Sequence, residues 1–186
     1  NPFIELGFWP GGDRDGNPFV NAATTIKVAE LLRSSIIVCY YRDVRKLKRR
    51  LTFNGVDTLL GSLEAALYEN VFRPNNTNPI SKQELIDCLS TIRTKLIQED
   101  YSLYLSKLDS LLHKVQIFGT HFASLDIRQD SRIHRSVLMS IHEHLKSTQG
   151  VGILPDDYEM LSEEAQIDAL QHISGAINCD NINEGI

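Results

Sequence analysis

The stretch SLDIRQDSRIH, Ser124–His134, takes the chain from a short apolar run into a cluster of charged side chains. The overlapping segment His121–Arg128 is brief, apolar and partly alternating, which predicts a short strand. Ser131 then predicts the N-cap of a helix. Parallel barrels and open α/β sheets build active sites in this way, with polar side chains at the carboxyl end of a strand. The stretch therefore predicts both a piece of sheet and a site at its end.

Arg128 is the strongest candidate for binding in this stretch. It would lie at the end of the strand, just before the helix that Ser131 caps, where its guanidinium and the helix dipole both favour an anion. Asp126 is two positions before Arg128, so both side chains would project from the same face of the strand. A structural ion pair between Asp126 and Arg128 is therefore the alternative. We interpret His134 as a surface or pairing histidine, because the sequence reveals no partner that would make it a general base.

A second charged cluster lies near the other end of the chain, in GFWPGGDRDGNP, Gly7–Pro18. The residues that lead into it, Phe3–Trp9, also have the pattern of a short strand. Gly11 and Gly12 permit a positive φ angle and a close approach of the backbone to a ligand or to another strand. Both charged clusters are thus predicted to follow a strand directly.

Asp13, Arg14 and Asp15 leave two interpretations open. In an extended segment Arg14 would point away from the two aspartates, so the three side chains need not pair with one another. The carboxylates could satisfy backbone amides of a tight turn and cap the next helix. They could also form an Asp-x-Asp site for a metal and a nucleotide diphosphate, as in many sugar transferases.

The rest of the sequence has a helical period. Apolar residues at steps of three and four predict one long helix that starts at Asn17-Pro18 or at Asn21. Its apolar stripe consists of Ile26, Ala29, Leu32, Ile36, Tyr40, Val44, Leu47 and Leu51. Further helices are predicted over Val56–Val71, from the capping box Ser81–Glu84, between Asp100 and Gly119, from Ser131 and from Ser162. Their inward residues include Leu59, Leu60, Leu63, Leu67, Leu85, Leu89, Ile92, Leu96, Tyr104, Leu108, Leu111, Val115, Phe118, Val137, Leu138, Ile141, Leu145, Ala165, Leu170 and Ile173. A mainly α-helical fold with two short strands is the expectation.

Composition narrows the class of protein. The 186 residues are 42% hydrophobic and 23% charged, which is typical of a globular protein, and no apolar run is long enough to span a membrane. The net charge of −5 argues against nucleic acid as a partner. One basic stretch, Tyr40–Arg50, is interpreted as a solvated cationic face near a helix C-terminus, with a polyanion site as the alternative.

The cysteines favour a reducing, cytoplasmic location. Cys39, Cys88 and Cys179 are far apart, odd in number and without metal-ligand spacing. Cys39 and Cys88 fall within helical apolar patterns, where small buried thiols are common. The tripeptide Asn75-Asn76-Thr77 matches a glycosylation sequon, which we interpret as a chance match in a polar loop.

The two clusters together resemble the phosphoenolpyruvate carboxylase family. GGDRDGNP, Gly11–Pro18, is similar to the family's glycine-rich active-site segment, and FGTHFASLDIRQDS, Phe118–Ser131, resembles its second hallmark. The resemblance implies an incomplete parallel α/β barrel and a carbon–carbon lyase, which carboxylates phosphoenolpyruvate with bicarbonate to give oxaloacetate and phosphate. It also implies magnesium or manganese, a homotetramer and allosteric control in the full-length enzyme.

The resemblance assigns roles to individual residues. Arg128 would hold the substrate phosphate and act in catalysis, while Asp13, Arg14, Asp15 and Trp9 would position substrate. The family's Thr-Ala-His-Pro-Thr segment and its metal carboxylates have no match here. The expectation is therefore that the chain binds no metal and is inactive by itself.

The same resemblance predicts an organisation. Residues 1–186 would be a single internal fragment of a much longer enzyme. Residues 1–20 and 118–131 would lie at the barrel mouth, 21–117 would be a helical insertion, and 132–186 would form the following helices. Two other function classes stay open: a helical scaffold or interaction module that has kept the motifs, and an Asp-x-Asp metal-dependent transferase.

Overall fold

The structure is a computed structural model that describes residues 6–15, 17–73 and 79–173. The chain divides into two compact units, residues 1–128 and 129–186, which are described separately. The first unit contains β1 (Gly7–Phe8), α1 (Ala22–Lys48), α2 (Val56–Phe72), α3 (Lys82–Gln98), α4 (Leu105–Phe118) and β2 (Ser124–Leu125). The second contains α5 (Ser131–Gln149), a 3₁₀ turn (Tyr158–Met160) and α6 (Glu163–Gln171). The mainly helical prediction is confirmed.

Four helices enclose the core of the first unit. Helix α1 packs on α2 and α4, and α3 packs on the same two helices. The predicted inward leucines of α2 and α3 are buried at Leu60, Leu63, Leu67, Leu85, Leu89 and Leu96. Each such side chain contributes about 1.5–3 kcal/mol by leaving water, which makes this core the main source of stability in the unit.

The apolar stripe of α1 is buried only along its second half. Asn21 is the N-cap, and its side chain accepts a hydrogen bond from the Thr24 amide, so the second of the two predicted starts is confirmed. Ile36 and the apolar residues after it are buried, but Ile26 is 60% exposed. Periodicity identifies the face of a helix that is apolar, whereas the length of its neighbours decides how much of that face is covered.

Helix α4 begins one residue later than its apolar pattern predicts. Tyr104 is the N-cap rather than an inward helical residue, with a left-handed backbone (φ 59°) and a half-exposed ring. Its side chain makes no capping hydrogen bond. At the other end Gly119 closes the helix with φ 57°, which confirms the predicted stop.

Helix α3 opens with the predicted capping box. The Glu84 amide donates to the Ser81 hydroxyl oxygen at 3.2 Å, and the Glu84 carboxylate accepts from the Ser81 amide at 2.7 Å. The hydrogen bonds from the Ser81 amide and hydroxyl lower the pKa of Glu84 below its ordinary value of 4.5. The box therefore satisfies two amides that the helix leaves without internal partners.

We expect Ser81→Ala to lower the free energy of unfolding by about 1 kcal/mol at pH 7, because the N-cap acceptor is lost. The pKa of Glu84 is lower in the folded chain, so its contribution is present above pH 4.5 and is lost as the pH falls through the folded pKa. The stability difference between wild type and Glu84→Gln should therefore shrink on acidification. Urea unfolding at several pH values measures both effects. Ser90→Ala, within the same helix, is the matched control and should lose no stability.

The two predicted strands exist but are short. β1 and β2 pair in parallel, with Gly7 opposite Ser124 and Phe8 opposite Leu125. The rest of the predicted first strand, residues 3–5, lies outside the described residues. A parallel pair requires a long crossover connection, and here helices α1–α4 provide it.

In the second unit, α5 is capped by Asp130 and not by Ser131, so that prediction is wrong. The Asp130 carboxylate accepts the Arg132 amide at 2.8 Å, and Ser131 is the first helical residue. Hydrogen bonds from the Arg132 side chain and backbone lower the pKa of Asp130 to about 2. Both residue types suit an N-cap, and the charge of aspartate gains more from the helix dipole. Ser162 caps α6 as predicted.

The thiols differ from expectation in one respect. Cys39 is exposed, so its predicted burial is wrong, because it lies on the side of α1 away from the core. Cys88 is half-buried, and burial raises the pKa of its thiol. Cys179 and the sequon at Asn75 lie outside the described residues. No helix in the described part of the chain has the length and apolarity needed to cross a membrane.

Candidate functional site

The two motifs lie side by side because the parallel pairing continues past the ends of the strands. The Asp126 amide donates to the Phe8 carbonyl at 2.9 Å, and the Arg128 amide donates to the Gly12 carbonyl at 2.8 Å. The Arg14 amide returns a bond to the Arg128 carbonyl at 2.8 Å. Residues separated by more than a hundred positions are thereby fixed to each other through their backbones.

A glycine turn adjusts the first motif to this pairing. Arg128 lies two positions after Asp126, but its partner Gly12 lies four positions after Phe8, the partner of Asp126, so the first motif must fold back on itself. It does so in a turn closed by the Gly12 amide on the Trp9 carbonyl at 2.9 Å.

Both glycines of the turn are required by the backbone. Gly11 has a φ of 84°, which side chains rarely tolerate. A Cβ atom at Gly12 would collide with the Asp126 carbonyl oxygen. The prediction that these glycines permit close approach to another strand is confirmed.

Arg128 meets Asp13 at the end of this pairing. The Arg128 Nε atom lies 3.8 Å from Asp13 Oδ1, which is an ion pair without a hydrogen bond. The Arg128 side chain is 59% exposed, so most of its guanidinium donors face solvent. The structure pairs Arg128 with Asp13 across the motifs, and not with Asp126 as the structural alternative predicts.

Two polar atoms of the first motif are buried and unsatisfied. Within the described residues, Asp13 Oδ1 and Arg14 Nε have no hydrogen-bond partner. Leaving such a group without a partner costs about 1–3 kcal/mol, which is uncommon in native proteins away from functional sites. Asp15 is exposed, and Trp9 is 55% exposed beside the turn. Of the predicted site residues, the structure therefore brings Asp13 and Arg128 together and places Trp9, Arg14 and Asp15 on the same loop.

Helix α1 holds both motifs, through two residues to which the sequence analysis assigned no role at the site. The Thr25 hydroxyl donates to the Gly11 carbonyl at 2.7 Å, which anchors the glycine turn. The buried Tyr40 hydroxyl donates to the Gly119 carbonyl at 2.8 Å, at the start of the second motif. Burial raises the pKa of Tyr40, so this donor stays protonated. A hydroxyl on an otherwise apolar helix stripe was the available signal for Tyr40.

Two further predictions concern the N-terminus of α5 and His134. Arg128 ends the first unit and α5 begins in the second, so the expected cooperation of the guanidinium with that helix N-terminus stays a prediction. His134 is exposed, in agreement with its interpretation as a surface histidine. Burial, together with the charge of Arg33, lowers the pKa of His121 in the second motif, so that ring is neutral at pH 7.

The described residues do not form a metal centre. Residues 6–15, 17–73 and 79–173 contain no group of three or more His, Cys, Asp or Glu side chains that could hold a metal ion. The pair Asp13 and Asp15 does not suffice, since one carboxylate already faces Arg128.

Comparison with known proteins decides the family. Residues 1–71 and 61–175 match the family model for phosphoenolpyruvate carboxylase. The chain belongs to the phosphoenolpyruvate carboxylase family. The match extends over both motifs and over the helices between them, and so includes every predicted site residue.

Curated phosphoenolpyruvate carboxylases resemble the chain at a moderate level. The protein of Aeromonas salmonicida is 29% identical over 187 residues and that of Nitrosomonas eutropha is 28% identical over 193 residues. These alignments cover 87% and 83% of this chain and 20% of each relative. A relative from Thermosynechococcus vestitus is 28% identical, again over 87% of the chain and 20% of the relative. The chain thus spans about a fifth of the length of the phosphoenolpyruvate carboxylases it matches.

Proposed function

We propose that this chain forms the phosphate-binding part of a phosphoenolpyruvate carboxylase, a carbon–carbon lyase. The observation that carries the proposal is the parallel pairing that fixes Arg128 beside Asp13, with most of its guanidinium exposed. Membership of the phosphoenolpyruvate carboxylase family supports the identity of the substrate. A guanidinium suits a phosphate because its planar fork donates two parallel hydrogen bonds and its charge is permanent.

In the proposed reaction Arg128 stabilises charge on the transferred phosphoryl group. The bond between phosphorus and the enol oxygen breaks as a bond to a bicarbonate oxygen forms, giving carboxyphosphate and the enolate of pyruvate. Carboxylation of that enolate gives oxaloacetate, and phosphate is released. Negative charge on the phosphoryl oxygens is what a fixed cationic donor stabilises best, since it needs no reorganisation during the reaction.

The glycine-rich loop has a supporting role in the proposal. Asp13 lies 3.8 Å from the guanidinium, which orients Arg128 without occupying its donors through a close hydrogen bond. Arg14 and Asp15 lie on the same loop, and Trp9 presents an exposed indole next to them. We propose that these four residues position the substrate. The unsatisfied buried atoms of Asp13 and Arg14 support a functional role for this loop, since such atoms are uncommon in native proteins.

The remaining parts of the active enzyme are proposed to lie outside this chain. They include the barrel strands, the ligands of magnesium or manganese and the contacts of a homotetramer in the cytoplasm. The alternative is a helical scaffold that has kept the two motifs for folding. The observation in favour of that alternative is the set of backbone hydrogen bonds that join Gly12 and Arg14 to Arg128. These bonds stabilise the chain without any substrate.

Activity of the polypeptide that carries this chain separates the two functions. Full-length protein given phosphoenolpyruvate, bicarbonate and magnesium should form oxaloacetate, detected by NADH oxidation with malate dehydrogenase. The 186-residue chain alone should fold and give no turnover, because one arginine loop cannot enclose a phosphate or exclude water. Inactive full-length protein would favour the scaffold. Turnover by the isolated chain that disappears in Arg14→Ala would refute the proposed division of the site.

A further inference from the structure

A cationic cleft lies between α1 and α4, among residues separate from both motifs. Its volume is about 420 Å³, within the range of pockets for small molecules. The end of α1 contributes Lys46, Arg49 and Arg50, and α4 contributes Lys107 and Lys114. One carboxylate, that of Asp43, also lines the cationic cleft.

The single carboxylate is already engaged. Asp43 lies 2.7 Å from the Lys114 ammonium and 3.3 Å from that of Lys46. Burial acts to raise the pKa of Asp43, but the hydrogen bonds from these lysines lower it overall, so Asp43 is ionised at neutral pH. Five cations therefore face one anion, in a chain whose net charge is −5. Such a local excess of positive charge attracts anionic ligands.

Three of the cations are available for a ligand. Within the described residues, Arg49, Arg50 and Lys107 form no ion pair, and both arginines are exposed. Two forked guanidinium groups and an ammonium group suit phosphate oxygens, because each guanidinium can bind two oxygens at once.

The backbone at the cationic cleft does not oppose an anion. The C-terminal end of α1 and the N-terminal end of α4 both line it, so their opposite dipole charges largely offset each other. Ser106 and Ser110 add hydroxyl groups from the same face of α4, one turn apart. The side chains therefore determine the sign of the potential.

We propose that the cationic cleft binds a small molecule with two adjacent phosphoryl groups. Two adjacent phosphoryl groups together carry about three negative charges at pH 7, so they offset most of the net excess of four positive charges. A dicarboxylate would leave about half of that excess without a counter-charge. A nucleic acid is a poorer fit, since the cationic cleft is a compact pocket in an otherwise acidic chain.

Titration of the 186-residue chain with inorganic pyrophosphate tests the proposal, by calorimetry and by amide NMR shifts. We expect saturable binding at one site, with shifts at Ser106, Lys107 and Ser110. The double variant Arg49→Gln/Arg50→Gln should weaken binding by about tenfold or more, because two charge-assisted contacts are lost. Circular dichroism should show that these exposed substitutions leave the helices intact.

Two control variants make the result specific. Lys27→Gln/Arg42→Gln removes the same charge from exposed positions of α1 outside the cationic cleft and should change the affinity by less than about twofold. Arg128→Gln should also leave pyrophosphate binding unchanged. Equal losses in both double variants would overturn the proposal, since they indicate diffuse attraction. Loss only in Arg128→Gln, tighter binding of citrate, or tighter binding of a short single-stranded oligonucleotide would overturn it as well.

Discussion

Replacing Arg128 with alanine in the full-length enzyme should lower kcat/KM for phosphoenolpyruvate by roughly 30- to 1000-fold. This range corresponds to a loss of about 2–4 kcal/mol of transition-state stabilisation, as for other fixed donors to a developing anion. The physical reason is the exposed guanidinium, whose backbone is held by the pairing with Gly12 and Arg14. The Michaelis constant for phosphoenolpyruvate should rise and turnover should fall, with a smaller effect on bicarbonate. Steady-state kinetics with each substrate varied in turn provides the measurement.

A conservative substitution and a distant arginine serve as controls for this prediction. Arg128→Lys should restore little activity, because an ammonium group does not reproduce two parallel hydrogen bonds. Arg42→Ala removes an exposed arginine on α1 and should leave the kinetics unchanged. The ion pair of Arg128 with Asp13 is long, at 3.8 Å, and the Arg128 side chain is 59% exposed, so its loss should cost at most about 1 kcal/mol of stability. An alanine variant with wild-type kinetics and a clearly lower melting temperature would assign Arg128 a structural role instead.

The local signals in the sequence predicted the helices well. The capping box at Ser81 and Glu84, the asparagine cap at Asn21 and the stop at Gly119 all act within one helical turn. Hydrogen bonds of this kind depend on residues that are close in sequence, so a single sequence contains the information. The cap of α5 is the exception, because Asp130 and Ser131 are adjacent and both are suitable N-caps.

The partner of Arg128 could not be predicted from local sequence. Parity along one strand identified Asp126 as a neighbour, but the ion pair forms with Asp13, which is 115 positions away along the chain. That contact depends on the register of two parallel segments, which is set by backbone bonds between them and by the glycine turn. The resemblance of both motifs to one family indicated that they share a site, and the register then determined which side chains meet.

The cationic cleft also could not be predicted from local sequence. The basic stretch Tyr40–Arg50 is visible in the sequence, and a solvated helix face was the simpler interpretation. Lys107 and Lys114 come from a helix that begins more than 50 residues later, and only packing places them opposite Arg49 and Arg50. A charged helix face and one wall of a charged cleft have the same pattern in the sequence. They differ in whether a second charged helix packs opposite the first.

Leu89→Ala should lower the free energy of unfolding of the chain by about 2–5 kcal/mol. Leu89 is fully buried in α3, so truncation removes apolar contacts and leaves a cavity that the surrounding helices fill only in part. Leu31→Ala is the matched control, because Leu31 is also helical but 56% exposed, and its change should stay within about 0.5 kcal/mol. Urea unfolding at one pH measures both, and an unchanged m-value confirms that the difference is one of stability.

The core substitution should also affect the candidate site. Helix α1 packs in the same four-helix core and anchors the motifs through the Thr25 and Tyr40 hydroxyl groups. Since opening of the core releases α1, the amides of Arg14 and Arg128 should exchange with solvent faster in Leu89→Ala and at the wild-type rate in Leu31→Ala. Faster exchange in both variants, or in neither, would show that the two motifs are held together independently of the helices.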